Sequence, residues 1–217
     1  MYLFSLISGY SIIIAGIIGL IRFKEIPAAY QPFIYFTWLA LINEALSSVL
    51  IGLNYYNNVN GNIYVLLESL LFIWLFYRWG SLREKAWHIP ALCGALLLVW
   101  MYDNFIWHTI NNPNSLFRIC YSFVLVFLGI NCLNKMIVSE RGNMLLNARF
   151  LICAGICVFY SYNAFLEVFY LLIPPKRNDP FQNKVFLILD FVNLFVTLIY
   201  ALATLCIPPK QKFTQLY

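Results

Sequence analysis

The sequence predicts an all-α membrane protein that is built as a bundle of seven transmembrane helices. Hydrophobic residues make up 62% of its 217 residues and charged residues only 11%, which is about half the charge of an ordinary soluble domain. Apolar runs near the ~20 residues that a helix needs to cross the hydrocarbon recur along the whole chain. We therefore expect a single transmembrane domain over residues 1–217, embedded in the lipid bilayer.

Helix-breaking residues between the apolar runs predict where the helices begin and end. The first run begins at Tyr2 without a basic segment or a cleavage site, so we interpret it as a helix and not as a signal peptide. Pro32 precedes the second run, and Pro90 lies in the first turn of the fourth. Paired prolines at 174–175 and 208–209 end the sixth and seventh runs. The predicted spans are 2–21, 33–54, 63–80, 89–109, 116–138, 148–173 and 185–207.

The distribution of Lys and Arg predicts the orientation, because cytoplasmic loops carry an excess of these residues. The loops after the first, third and fifth spans, with the C-terminal tail, hold ten of them: Arg22, Lys24, Arg78, Arg83, Lys85, Lys135, Arg141, Arg149, Lys210 and Lys212. The opposite side holds four: Arg118, Lys176, Arg177 and Lys184. We therefore expect the N-terminus outside and the C-terminus in the cytoplasm, although the basic loop 174–184 does not fit this pattern.

A weak internal repeat is visible in the sequence. The segment Tyr64–Glu68 (YVLLE) in the third span parallels Phe186–Asp190 (FLILD) in the seventh. Glu44 precedes Glu68 by 24 residues, and Glu167 precedes Asp190 by 23. This correspondence favours a 3+1+3 arrangement, in which two parallel three-helix units are joined by the fourth span, as in several transporter folds.

Acidic residues inside the predicted spans are the most informative functional feature. A charge at the centre of a membrane helix costs about 2.5–3.5 kcal/mol on insertion scales, so such side chains should face the bundle interior or a wet cavity. Helical spacing places several polar residues on common faces at a similar depth, including Asn104 and His108 at i and i+4. We expect a shared pocket that opens outwards. Its candidate ligand-binding residues are Glu44, Glu68, Asp103, Asn104, Arg118, Asn163, Glu167, Asp190 and Asn193.

Positive charge does not balance these acids, because Arg118 is the one reliably cationic side chain at their depth. The deficit requires protonation or a bound cation, so we expect a small cationic or polar ligand, a metal ion or a proton from the outer side. No cofactor is predicted, but carboxylates suit a divalent metal such as Mg, Mn or Ca. The metal-ligand candidates are Glu68, Asp103, His108, Glu167 and Asp190.

Several functions remain open at this stage. The pocket fits a transporter or a receptor-like sensor. The enzymatic alternative is a metal-dependent hydrolase or transferase that acts on lipid headgroups. The third hypothesis is an accessory subunit of a membrane complex. No catalytic residue is predicted, and the scattered bases exclude nucleic acid as a partner. A sensor would need a membrane or cytoplasmic protein partner at loops 81–88 and 139–147. The outer loops have no Asn-x-Ser/Thr glycosylation site, which favours a bacterial inner membrane.

Overall fold

The computed structural model describes residues 2–80, 88–139, 144–172 and 180–210, and these residues contain helices and no strand. Seven helical segments are long and apolar enough to cross a membrane, which confirms the all-α architecture and the predicted number of spans. Most of the basic loop 174–184 and of the candidate docking loop 81–88, and part of the candidate docking loop 139–147, lie outside the described residues. The helices are α1 (Tyr2–Tyr10), α2 (Ile13–Ile21), α3 (Gln31–Gly52), α4 (Asn58–Arg78), α5 (His88–Tyr102), α6 (Ser115–Ser139), α7 (Ala148–Leu172) and α8 (Pro180–Cys206).

The first predicted span is two helices, α1 and α2, separated by a turn at Ser11 and Ile12. The Ser11 hydroxyl donates to the Ser8 carbonyl at 2.6 Å and hydrogen-bonds the Thr197 hydroxyl of α8. Serine side chains that bond to backbone carbonyls compete with the helical ladder and bend helices. The break therefore places the serines of α1 against polar side chains of α8.

The helix α4 begins at Asn58, whereas the sequence predicts a start at residue 63. Its asparagine-rich first turn resembles a loop in composition, because asparagine side chains compete with the helical backbone. Here the Asn60 amide donates instead to Asn43 at 2.9 Å and to Ser47 at 3.2 Å, both on α3. These contacts between helices stabilise an additional helical turn.

The bundle closes because α2 packs against both α3 and α8, while α3–α4, α6–α7 and α7–α8 are the other main pairs. Arg22, which follows α2, donates to the carbonyls of Thr204, Leu205 and Ile207 at 2.7–2.8 Å. The last carbonyls of a helix have no partner within it and attract a cation. Arg22 therefore joins the end of the first span to the end of the seventh.

Aromatic side chains fill the centre of the bundle, and one glycine allows their packing. Tyr200 of α8 makes edge contacts with Phe33 and Phe36 of α3, at centroid distances of 5.3 and 5.9 Å. Gly155 of α7 lies against the same tyrosine, because a Cβ built at this glycine would be 2.5 Å from Tyr200 Cε1. The close approach of α7 to α8 thus depends on the missing side chain.

Replacing Gly155 with alanine is expected to destabilise the protein by about 1–3 kcal/mol, because the new methyl group forces the ring of Tyr200 to move within a packed core. Gly94→Ala in α5 is the matched control, since its Cβ would meet nothing within 4 Å. That control should be neutral or gain up to about 1 kcal/mol from helix propensity. Unfolding of both variants in detergent micelles measures the difference, and equal stabilities would contradict this account.

Candidate functional site

A cavity of about 370 Å³ lies inside the bundle. Its walls come from α1, from the N-terminal half and middle of α3, and from α4, α6, α7 and α8. The cavity extends from the half of the bundle where α1, α4 and α6 begin into its middle. The volume is that of a small-molecule site, and corresponds to roughly a dozen water molecules at ~30 Å³ each. Six of the predicted ligand-binding residues line it: Glu44, Glu68, Arg118, Asn163, Asp190 and Asn193. Six aromatic residues line it as well: Phe36, Tyr64, Tyr121, Phe159, Tyr160 and Tyr200.

Glu68 of α4 is the most enclosed carboxylate of the cavity, with 3% of its surface exposed. The hydroxyl of Tyr64 donates to its Oε1 at 2.8 Å, and the hydroxyl of Tyr121 donates to its Oε2 at 3.0 Å. Tyr160 of α7 interacts with the same carboxylate. Tyrosines from three helices therefore fix Glu68. The sequence links Tyr64 to Glu68, because Tyr64 lies four residues before it on the same helix face.

Tyr200 of α8 also lines the cavity, and its side chain is 3% exposed. Its hydroxyl is buried and has no hydrogen-bond partner among the described residues. A buried polar group without a partner costs about 1–3 kcal/mol, so buried hydroxyls are nearly always paired with protein, water or ligand. Tyr200 therefore combines a side chain in the cavity wall with a hydroxyl that is itself buried and unpaired.

Two further carboxylates of the cavity lie beside α1. Glu44 of α3 approaches the backbone of α1 where that helix has a glycine, because a Cβ at Gly9 would be 2.7 Å from Glu44 Oε2. The Ser5 hydroxyl donates to the carboxylate of Asp190 on α8. Asn193, one turn along α8, donates to the carbonyl and hydroxyl of Ser8 at 3.1 Å. Small residues of α1 thus bring both acids to the same wall.

Arg118 of α6 occupies another part of the wall. Its Nε donates to Asn114 Oδ1 at 3.0 Å and lies 3.7 Å from Glu167 Oε1. Its Nη2 lies beside Gly61 of α4, 3.4 Å from where a Cβ would be. Glu167 does not line the cavity, but it contacts the guanidinium of Arg118, which does. Asn163 of α7 lines the cavity and donates to Ser122 at 3.1 Å.

The structure places Asp103 outside the cavity, at the junction of α5 and α6. A π-helical turn follows α5 over Asp103–Trp107, and its register brings His108 Nδ1 to 3.1 Å from the carboxylate of Asp103, five residues earlier. Asp103 is 0% exposed, and its other oxygen accepts the Phe117 N–H at 2.8 Å. That N–H is one of the unpaired donors at the start of α6, so Asp103 caps this helix.

Asn104 is also a structural residue in this arrangement. Its amide donates to the carbonyl of Trp100 at 2.8 Å, and its oxygen accepts from Asn62 of α4 at 2.9 Å. Asn62 is completely buried and donates in addition to the carbonyls of Ile110 and Asn112 at 3.0 and 2.8 Å. These bonds hold the connection between α5 and α6 against α4. The sequence did not single out Asn62, because its neighbours resemble a loop.

The metal-ligand candidates occupy three separate places. Glu68 and Asp190 line the cavity, whereas Asp103 and His108 pair with each other outside it. Glu167 lies at the guanidinium of α6. In the part of the chain that the structure describes, no group of three or more His, Cys, Asp or Glu side chains is arranged to hold a metal ion. A divalent metal stays a prediction.

The salt bridges among the described residues are His108 with Asp103 and Arg118 with Glu167. Neither includes an acid that lines the cavity, so three carboxylates of this wall have no cationic side chain within ion-pair distance there. No family model, curated protein or solved structure matches the chain. The function is therefore inferred from the chemistry of this cavity.

Proposed function

We propose that the protein binds a small, positively charged solute inside this cavity, and that it acts as a transporter or as a receptor-like sensor. One observation carries the proposal: three carboxylates that have no cationic side chain within ion-pair distance among the described residues line the same cavity, together with six aromatic rings. The acids supply negative charge, and the rings supply π-electron surface that attracts cations. Together they describe a site that is incomplete without a ligand.

Electrostatics supports a cationic occupant. Carboxylates inside a membrane protein are costly unless they are neutralised, and neutralising them takes positive charge from protons or from a bound cation. Arg118 provides one positive charge at the wall, and it already lies beside Glu167. Glu44, Glu68 and Asp190 are left for a ligand or for protons.

The aromatic wall supports the same conclusion. Tyrosine and phenylalanine rings attract cations through their π-electrons, and the attraction reaches about 2 kcal/mol or more when the cation is desolvated. Six aromatic residues line this cavity together with the three acids. Aromatic cages with nearby carboxylates suit ammonium groups, which bind with less dehydration cost than small metal ions.

A membrane orientation and a location complete the proposal. With the N-terminus outside, as the Lys and Arg distribution favours, the cavity lies towards the outer surface, and a bacterial inner membrane is the expected location. The 3+1+3 repeat pairs Glu68 with Asp190, and both of these residues line the cavity. A binding site at the interface of two repeats is typical of carriers that alternate between two openings. Transport is therefore favoured over sensing.

The test is ligand-dependent stabilisation of the purified protein. Small alkylammonium ions from methylammonium to tetramethylammonium, with Na⁺ and Mg²⁺ for comparison, are titrated while thermal unfolding is followed. A ligand at 100 times its Kd should stabilise the wild type by about 2.7 kcal/mol. Glu44→Gln combined with Asp190→Asn should weaken that binding at least about tenfold, the effect of ~1.4 kcal/mol of lost interaction.

Glu25→Gln is the matched control, because Glu25 is an exposed acid between α2 and α3 and does not line the cavity. It should bind the same cations as the wild type. The proposal fails if no cation stabilises the wild type, or if the double variant and the control respond alike. Stabilisation by Mg²⁺ alone would favour the metal-dependent alternative.

A further inference from the structure

Three of the four charged residues of the cavity lie on two different flanks. Glu44 and Asp190 lie against α1, through Gly9 and Ser5. Arg118 lies on α6, beside α4 and α7. The helix α1 packs against α3 and α8, whereas α6 packs against α4, α5 and α7. The cavity therefore has two carboxylates on the α1 side, called the acidic wall, and the guanidinium on the α6 side, called the basic wall. Glu68 of α4 is bonded to Tyr121 on that second side.

The basic wall has unused hydrogen-bonding capacity. A guanidinium carries five N–H donors, and the contacts of Arg118 with Asn114 and Glu167 both involve its Nε. The four N–H groups of its terminal nitrogens make no hydrogen bond to the described residues, and the side chain is 25% exposed. Such a fork binds a carboxylate through two parallel hydrogen bonds.

From this separation we infer that the ligand is a small organic zwitterion, with its ammonium group at the acidic wall and its carboxylate at Arg118. The inference rests on the proposed function: it keeps the cationic group at the acids and adds a carboxylate at Arg118, because a simple cation would use only one wall. The second observation that points to a ligand is the cavity itself, because both charged walls line one volume of about 370 Å³. The class is that of amino acids and betaines.

The cavity suits such a ligand better than a bare metal ion. Both oxygens of Glu68 already accept tyrosine hydroxyls, which leaves this carboxylate poorly disposed to coordinate a metal. The volume of about 370 Å³ also exceeds what one ion with its ligands needs. A short carbon chain between the two charged ends would lie along the aromatic lining.

The experiment uses a series of ω-amino acids of increasing chain length, from glycine to 6-aminohexanoate, to find which distance between the two charged groups fits the cavity. Each amino acid is compared with its methyl ester, which keeps the ammonium group and removes the negative charge. At the best-fitting length, the zwitterion should bind the wild type at least about tenfold more tightly than its ester, as a charged pair at Arg118 would give. Thermal stabilisation and calorimetry of the purified protein measure both affinities.

Arg118→Gln then tests the residue. It should weaken zwitterion binding at least about tenfold while changing ester binding less than about twofold, and Arg118→Lys should recover part of the loss. A purely structural arginine would instead affect both ligands in parallel. If Arg118→Gln does not fold, the comparison of zwitterion and ester in the wild type still decides the question.

The outcomes separate the two proposals. Esters that bind as tightly as the zwitterions, or a parallel loss of both in Arg118→Gln, would overturn the zwitterion inference and leave the cation site standing. Absence of stabilisation by every amine, ester and zwitterion would overturn both. Tighter binding of the zwitterions with selective loss in Arg118→Gln supports both.

Discussion

Replacing Glu68 with leucine is expected to destabilise the protein by about 2–5 kcal/mol. The hydroxyls of Tyr64 and Tyr121 both donate to this carboxylate, and leucine leaves them without an acceptor. Each buried polar group that loses its partner costs about 1–3 kcal/mol. Because leucine is close to glutamate in size, little of this loss comes from an empty space. Chemical or thermal unfolding in detergent micelles measures the change.

A triple variant separates the lost hydrogen bonds from other effects. Removing two hydroxyls as well, by Tyr64→Phe and Tyr121→Phe, leaves only that of Tyr160 among the three tyrosine hydroxyls that interact with Glu68. Replacing all partners of a buried polar network by apolar groups is often nearly neutral. The triple variant should therefore regain at least half of the stability that Glu68→Leu loses. A triple variant that is less stable than Glu68→Leu would show that the tyrosine hydroxyls do not depend on Glu68.

The same pair of variants also separates folding from binding. The triple variant should be stable, yet it should bind alkylammonium ions at least about tenfold more weakly than the wild type, because a carboxylate of the cavity is gone. Restored stability with restored binding would remove Glu68 from the site. The proposed cation site would then depend on Glu44 and Asp190 alone.

The positions of the spans could be predicted because a bilayer permits little else. Backbone groups in hydrocarbon must be paired within a helix, so every long apolar run is a helix, and hydropathy alone finds it. The turn at Ser11 could not be predicted in this way. It depends on a hydrogen bond to Thr197, which is 186 residues away in the chain. The early start of α4 depends likewise on contacts with α3.

Part of the cavity could be predicted for a related reason. Polar side chains inside the membrane must face other protein groups or water, so helical periodicity indicates which of them point inwards. Asp190 and Asn193 share one face of α8, and both line the cavity. Tyr121 gave no comparable signal, because it lies on a different helix from Glu68, the chain contains 15 tyrosines and their burial depends on helix packing.

The α-helical periodicity gave a wrong prediction where the backbone forms a π-helical turn. The sequence predicts that Asn104 and His108 share a face, since they are four residues apart. In the π-helical turn Asp103–Trp107 the backbone bond runs over five residues, from His108 N to Asp103 O at 3.0 Å. The imidazole therefore meets Asp103. A π-turn of this kind has no composition that distinguishes it from the surrounding helix.

The role of Asp103 can be decided by two substitutions, because a capping carboxylate and a ligand-binding carboxylate respond differently. Asp103→Ala should destabilise the protein by about 2–4 kcal/mol, since it leaves the buried Phe117 N–H unpaired and removes the partner of His108. Asp103→Asn keeps an oxygen for that N–H, so it should cost only about 1 kcal/mol. His108→Ala measures the contribution of the imidazole separately.

Binding completes the distinction. Because Asp103 lies outside the cavity, Asp103→Asn should bind alkylammonium ions within about twofold of the wild type, whereas a tenfold loss is expected when two cavity acids are neutralised. If Asp103→Asn lost as much binding affinity as the combination of Glu44→Gln and Asp190→Asn, Asp103 would be a ligand-binding residue. The cavity would then have to extend to the junction of α5 and α6. Unchanged binding with reduced stability in Asp103→Ala would instead confine the ligand to the acids around α1 and α4.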